Sequence, residues 1–272
     1  MKYGIFSSCP HALAREKEIT YGEALSLVKE VGIGALEADS GEFESIPTAE
    51  YKALLAEKGM RMFAVHHSCH MAAQDDEIYK DALESCITAA ENAAAAGAEY
   101  FMIVPAQRSD ISDDETDKQR ALARIIEGLN ALSPEFIRIG IIPAIENFST
   151  KLFPFSTSEE IINIADNVPG LALTYDIGNF RCIGADCIEP LDSVGKRAAF
   201  YHVKDWSIVE ENGFAAADGT FLRGATLGSG CVPVSELFYR LKTSGYNGWI
   251  IFEQEAPLHA MSACLNAMQK YI

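Results

Sequence analysis

No stretch of this sequence resembles a membrane span, because no apolar run approaches the ~20 residues needed to cross a bilayer. The opening residues, MKYGIFSSCPHALAREKE, carry no extended apolar segment after the lysine, so a signal peptide is not expected and a cytoplasmic location is. No Ser-, Gly- or Pro-rich linker and no block of like charge interrupts the 272 residues, which points to one domain over 1–272. The seven cysteines are odd in number and include no C-x-x-C pair, which excludes a disulfide framework and a zinc knuckle. Cys182 and Cys187 lie close in sequence, yet no second pair completes a tetrahedral metal site. Cations are scarce: 22 Lys and Arg stand against 39 Asp and Glu, a formal net charge of −17. Such a surface repels phosphate backbones and excludes nucleic acid as a partner. It also helps to concentrate a divalent cation, and it suits a neutral sugar-like substrate better than a polyphosphate. The turn after the first apolar run, Phe6–Cys9, has no G-x-G-x-x-G, so a nucleotide cofactor has no support.

What the chain does have is a recurring pattern. Eight short apolar or β-branched runs appear at Tyr3–Phe6, Ala35–Ala38, Met62–His66, Tyr100–Val104, Gly140–Glu146, Leu171–Asp176, Phe200–Val203 and Trp249–Glu253. They are separated by segments with helix signals, which describes repeated βα units. Thr20-x-x-Glu23, Ser112-x-x-Glu115 and Thr157-x-x-Glu160 have the spacing of capping boxes. Pro233 can open a helix, Val234, Leu237, Phe238 and Leu241 give it an apolar stripe, and Gly245 can close it. Ala82–Ala96 is a strong helix former. Runs that are apolar throughout, rather than alternating, predict a parallel sheet buried on both faces. Eight such units close most economically into a (β/α)₈ TIM barrel, and the missing Gly-rich loop disfavours an open doubly wound sheet. The longest stretch without a helix signal, Ser207–Cys231, is expected to be a loop covering the substrate.

Four polar residues fall where chemistry is expected. Glu146 ends IGIIPAIE, Asp176 ends LALTYD, His202 ends AAFYH and Glu253 ends GWIIFE. The C-terminal ends of barrel strands converge on one mouth, so these side chains, from strands five to eight, should meet. Any one of them alone reads as easily as a helix cap, a salt-bridge partner or a hydrogen-bonded core histidine. Together, three carboxylates would repel one another unless a cation sits between them. Oxygen ligands with one nitrogen suit Mn²⁺ best, with Mg²⁺, Co²⁺ or Zn²⁺ as alternatives.

The segments AIEN (144–147), YDIGN (175–179), YHVKD (201–205) and LGSGCVPVSELFYRLKTSGYNGWIIFEQE (227–255) resemble the xylose isomerase-like TIM barrels, specifically their sugar phosphate isomerase/epimerase branch. The resemblance implies that Glu146, Asp176, His202 and Glu253 bind one divalent metal ion. It implies proton abstraction next to a carbonyl through an enediolate that the metal stabilises, with Glu146 and Glu253 moving the proton. Carboxylates on opposite faces would give epimerisation, and one carboxylate serving adjacent carbons would give isomerisation. His66 stands where the family often has a histidine touching substrate, and His67 should face away from it. Lys204 shares a face with His202 and can meet substrate, while Asp205 behind it can support the site. Glu37 can bind a hydroxyl or form a salt bridge, and Phe148 and Trp206 can wall a pocket or simply pack.

The chain departs from the family at two places. Asn179 stands where several relatives have histidine, and it can hydrogen-bond a hydroxyl but is a poor metal ligand. The strand-seven motif lacks the nearby arginine of ketose 3-epimerases. These departures argue against a specific tagatose or psicose epimerase. A keto-inositol (inosose-type) dehydratase, whose strand-seven H-x-K-D-like motif is similar and which would use the same metal site, is an alternative, as is a non-catalytic sugar-binding subunit. Few histidines, Asn179 and the acidity disfavour the family's apurinic endonucleases. A small polyhydroxylated substrate is the expected partner, and barrels of this kind commonly pair as homodimers.

Overall fold

The computed structural model describes residues 1–253 and 261–272. The last two residues of the segment 227–255, Gln254 and Glu255, therefore lie outside the described residues. Eleven strands are described: β1 (Lys2–Phe6), β2 (Ala35–Asp39), β3 (Arg61–Ser68), β4 (Tyr100–Val104), β5 (Ile142–Glu146), β6 (Ala172–Asp176), β7 (Ala198–Val203), β8 (Trp206–Val209), β9 (Phe214–Ala215), β10 (Phe221–Gly224) and β11 (Trp249–Phe252). Strands β1–β7 and β11 close into an eight-stranded barrel, and every pairing in it is parallel. The expected (β/α)₈ architecture is the one observed. All eight runs contain strand, and the differences at their ends have local causes. Gly140 adopts φ 78° as the cap of helix Glu115–Ile139, so β5 starts two residues later, at Ile142.

Two of the three expected capping boxes form. At Thr20 and Thr157 the hydroxyl accepts from the backbone N–H three residues on, and the glutamate there returns the bond. Ser112 does not cap. Asp114, one residue before the helix, accepts from Thr116 and Asp117 N–H instead, and Ser112 turns its own N–H and hydroxyl onto Asp117. An ionised carboxylate at the cap outcompetes a hydroxyl two residues earlier. Pro233 caps helix Val234–Thr243, whose Val234, Leu237, Phe238 and Leu241 are buried, and Gly245 follows it with φ 75°. The Ala-rich stretch forms most of helix Asp76–Ala96. Between β6 and β7 the chain makes only short turns of helix, Ile177–Cys182 and Val194–Arg197.

Ser207–Cys231 is not the plain loop expected. Strands β8, β10 and β9 pair antiparallel within it as a small three-stranded sheet over the barrel mouth. Phe214 on β9 and Trp206 on β8 stack with centroids 6.4 Å apart, a contact between residues too far apart in sequence to show as periodicity.

The barrel interior is packed, not hollow. Ala35, Phe63, Ala64, Met102, Ala144, Phe200 and Ile251 form a buried cluster, with Phe63 and Phe200 edge to face at 5.0 Å. This apolar plug is the floor on which the polar residues stand. Each of Glu37, His66, Glu146, His202 and Glu253 follows one of its members (Ala35, Ala64, Ala144, Phe200, Ile251) by two residues, so strand alternation places it on the same interior face one layer higher.

Candidate active site at the barrel mouth

With Asp176 at the end of β6, that layer brings together the four strand-end residues. Glu146, Asp176, His202 and Glu253 each offer one ligand atom, and these atoms all lie within 4.8 Å of one another. His202 is fully buried, with Nδ1 3.0 Å from Glu146 Oε2 and 3.7 Å from Glu253 Oε2. Its other nitrogen, Nε2, lies 2.9 Å from Glu37 Oε2. Glu37 is fully buried as well; its Oε2 pairs with His202, and its Oε1 accepts no hydrogen bond. A carboxylate on Nε2 fixes that nitrogen as the one carrying hydrogen and leaves Nδ1 free to coordinate.

Lys204, on the same face as His202, places Nζ 2.7 Å from Glu253 Oε1 and 3.0 Å from Asp176 Oδ2. It can come so deep because residue 178 is glycine: a Cβ there would collide with the Lys204 side chain. One lysine does not balance the site. Asp176 Oδ2 is buried with only the Lys204 ion pair against it, and Glu253 Oε2 is buried and accepts no hydrogen bond. Burial, reinforced by Asp176 and Glu146 and only partly offset by Lys204, pushes the Glu253 carboxyl well above its usual range. Burial alone would keep His202 neutral, but Glu37 and Glu146 on its two nitrogens raise it well above the ordinary imidazole range. Three converging carboxylates whose charge one lysine does not offset, with one imidazole nitrogen, are the donor set of a hard divalent cation, and these residues fit one.

The other predicted residues separate by position. His66 has Nε2 3.1 Å from Asp39 Oδ2 and its ring stacked on Phe6, and it is not among the residues that line the cavity bordered by Glu146 and Glu253. His67 points outward to Ser40 and Ser85, as alternation requires. Asn179 lines the cavity, although its Nδ2 already donates to the Asn147 carbonyl. Asp205 lies behind the site. It is fully buried and accepts N–H bonds from Trp206, Gly228, Gly230 and Val232 at 2.8–3.0 Å, which anchor the Gly-rich turn after the small sheet. Asp205→Asn should remove two of these charge-assisted bonds and set an amide against two N–H donors. A loss of about 3 kcal/mol in denaturant unfolding is expected.

Spacing alone gives Asn147 of the motif AIEN no role. Its side chain exchanges two 2.9 Å bonds with the backbone of Asp176, which carries the β5–β6 ladder one step further and orients two of the four ligands. Cys182 and Cys187 are buried, and burial pushes both thiols up to about 12.

Glu146 and Glu253 of this cluster border a cavity of about 370 Å³, a volume in the range of small-molecule sites. Glu146, Lys204 and Glu253 reach it from below, and Phe148, Trp206 and Phe214 wall it. Larger open grooves elsewhere on the surface have no such convergence of unpartnered ligand atoms.

The sequence matches the model of the xylose isomerase-like TIM barrel family over residues 25–271. No curated protein matches it. Among solved structures it is similar to a D-psicose 3-epimerase from Clostridium cellulolyticum H10 bound to D-tagatose (14% identity, TM-score 0.73, 100% of this chain and 96% of the other). It is also similar to the IOLI protein with a bound zinc atom (16%, 0.75, 100% and 96%) and to the 3-keto-D-glucoside 4-epimerase YcjR from E. coli (15%, 0.72, 100% and 98%). At these identities the likeness establishes the fold alone.

Proposed function

The chain belongs to the xylose isomerase-like TIM barrel family, and on that premise we propose that it is a metal-dependent isomerase or epimerase of a sugar or sugar derivative, removing a proton next to a carbonyl. The observation that carries this reading is the set of four ligand atoms within 4.8 Å of one another, two of them on residues, Glu146 and Glu253, that line a sugar-sized cavity. The psicose and keto-glucoside epimerases of like fold support the class of substrate.

Glu146, Asp176, His202 and Glu253 would hold the ion. We favour Mn²⁺, with zinc also accommodated as in the IOLI structure. When bound, the ion supplies Lewis-acid stabilisation of negative charge on the substrate's oxygens. The rest belongs to the chain. Glu146 and Glu253 both border the cavity and come from strands separated by β6 and β7, so a substrate carbon above the floor has a carboxylate on either side. One takes the proton and the other returns it. Lys204 Nζ, next to Glu253, adds a positive charge where oxyanion character develops. Phe148, Trp206 and Phe214 keep water from the carbanion. Glu37 keeps His202 in the coordinating tautomer. Glu37→Gln retains shape but loses the charge, so metal affinity should fall 10–100-fold in a competition titration while the fold persists.

One observation favours a second reading. Lys204 is an ammonium inside the cavity next to a proposed base, where it can protonate a departing hydroxyl, as a keto-inositol dehydratase would require. The test is incubation with ketoses and keto-inositols in deuterated buffer with Mn²⁺. Exchange at a carbon next to the carbonyl supports isomerase chemistry, a product one water lighter selects the dehydratase, and neither outcome would leave a binding protein.

A further inference from the structure

A second hollow, of about 230 Å³, adjoins the cavity above the ligands and shares Ser149, Cys182 and Phe214 with it. Its distinctive lining is cationic: Arg108, Lys118 and Lys151 all border it, against the single carboxylate of Asp113. The three come from different parts of the catalytic face. Arg108 opens a short turn after β4, Lys118 lies in the first turns of helix Glu115–Ile139, and Lys151 lies in the loop after β5. None makes an ion pair or side-chain hydrogen bond with another described residue. Elsewhere arginine is mostly spent on carboxylates, as Arg61, Arg120, Arg124, Arg138, Arg181 and Arg240 are. In a chain of net charge −17, three unpaired cations around one concavity create a local field opposite to that of the molecule.

We propose that this hollow is an anion subsite, and that the substrate is a sugar derivative carrying a phosphate or carboxylate at the end remote from the reacting carbon. Arg108, Lys118 and Lys151 grip the anion, with the hydroxyls of Ser149 and Thr150 as further donors from the same wall. The reacting carbon then lies over the four ligands in the adjoining cavity. The reaction rests on the function proposed above; the anion subsite rests on its own residues. It also reverses the preference for a neutral substrate that net charge alone suggests.

The test compares D-fructose, D-fructose 6-phosphate and 5-keto-D-gluconate, with deuterium exchange and calorimetric binding measured in parallel on the Mn²⁺-loaded protein. One anionic probe, and which one distinguishes phosphate from carboxylate, is expected to bind at least tenfold more tightly than fructose, with an affinity that falls as salt rises. Lys118→Glu and Arg108→Ala/Lys151→Ala should each weaken that probe about tenfold or more and leave fructose unchanged, which also shows that the fold is intact. Anionic probes that bind in this way without exchanging would uphold the subsite and overturn the isomerase reading. Fructose exchanging alone, untouched by the charge variants, would overturn the subsite and uphold the isomerase. Absence of any charge-dependent binding overturns the subsite in every case.

Discussion

Glu253→Gln is expected to lower solvent exchange of the substrate proton by about a thousandfold while making the metal-free protein more stable. The amide keeps the volume and one acceptor oxygen but cannot take a proton. The stability gain follows from the carboxylate's surroundings. Burial and the nearby Asp176 and Glu146 raise the Glu253 carboxyl well above its usual range, so the folded metal-free protein resists ionising it. A neutral glutamine removes that strain. Loss of activity with a higher melting temperature separates a chemical role from simple misfolding, and it is the trade-off expected of a residue kept for function. Glu146→Gln should lose exchange similarly. Wild-type exchange rates in either variant would remove that carboxylate from the mechanism.

Chelating the metal is expected to abolish exchange and to lower the melting temperature, with both restored by Mn²⁺. At a free metal concentration of a hundred times Kd the stabilisation is about 2.7 kcal/mol, or roughly 5 °C for a chain of this size. The effect should depend on pH in a definite direction. His202 and Glu253 both have raised pKa values in the folded metal-free protein. A raised folded pKa contributes stability at low pH that is lost as pH rises through that value. The metal-free protein should therefore weaken from acid towards alkaline pH. Coordination needs both groups deprotonated, so metal affinity rises over the same range. The gap in melting temperature between loaded and chelated protein should widen from pH 6 to pH 8. A gap that is constant or shrinks would mean that these groups do not hold the ion.

Much of this site was legible in the sequence because barrel strands translate position into direction. A polar residue two places after an interior apolar one must lie on the same face, and the end of a parallel strand must lie at the mouth. Strand-end position puts Glu146, Asp176, His202 and Glu253 at the mouth, and alternation turns His67 away and Lys204 inward. Local pattern also gives the eight strands and the caps at Thr20 and Thr157, which depend on neighbours three or four residues off. The Ser112 cap failed where two candidates competed within one turn, and spacing alone does not weigh a carboxylate against a hydroxyl.

What only the folded chain decided depends on contacts between distant segments. Closure of the barrel set the end of β2 across the mouth from β7, with β1 and β11 between them, and made Glu37 the partner of His202, 165 positions away. Pairing within Ser207–Cys231 brought Phe214 onto the cavity, and Asp205 gathered the turn of Gly228–Val232 beneath it. Net charge, a property of the whole sequence, favoured a neutral substrate. The local field follows instead from where a few cations end up, and two loops and a helix start had to fold to one side of the mouth before Arg108, Lys118 and Lys151 could surround one hollow. Strand alternation acts over two residues and is written in the sequence, whereas electrostatic fields act through space and are set only when the chain has wrapped.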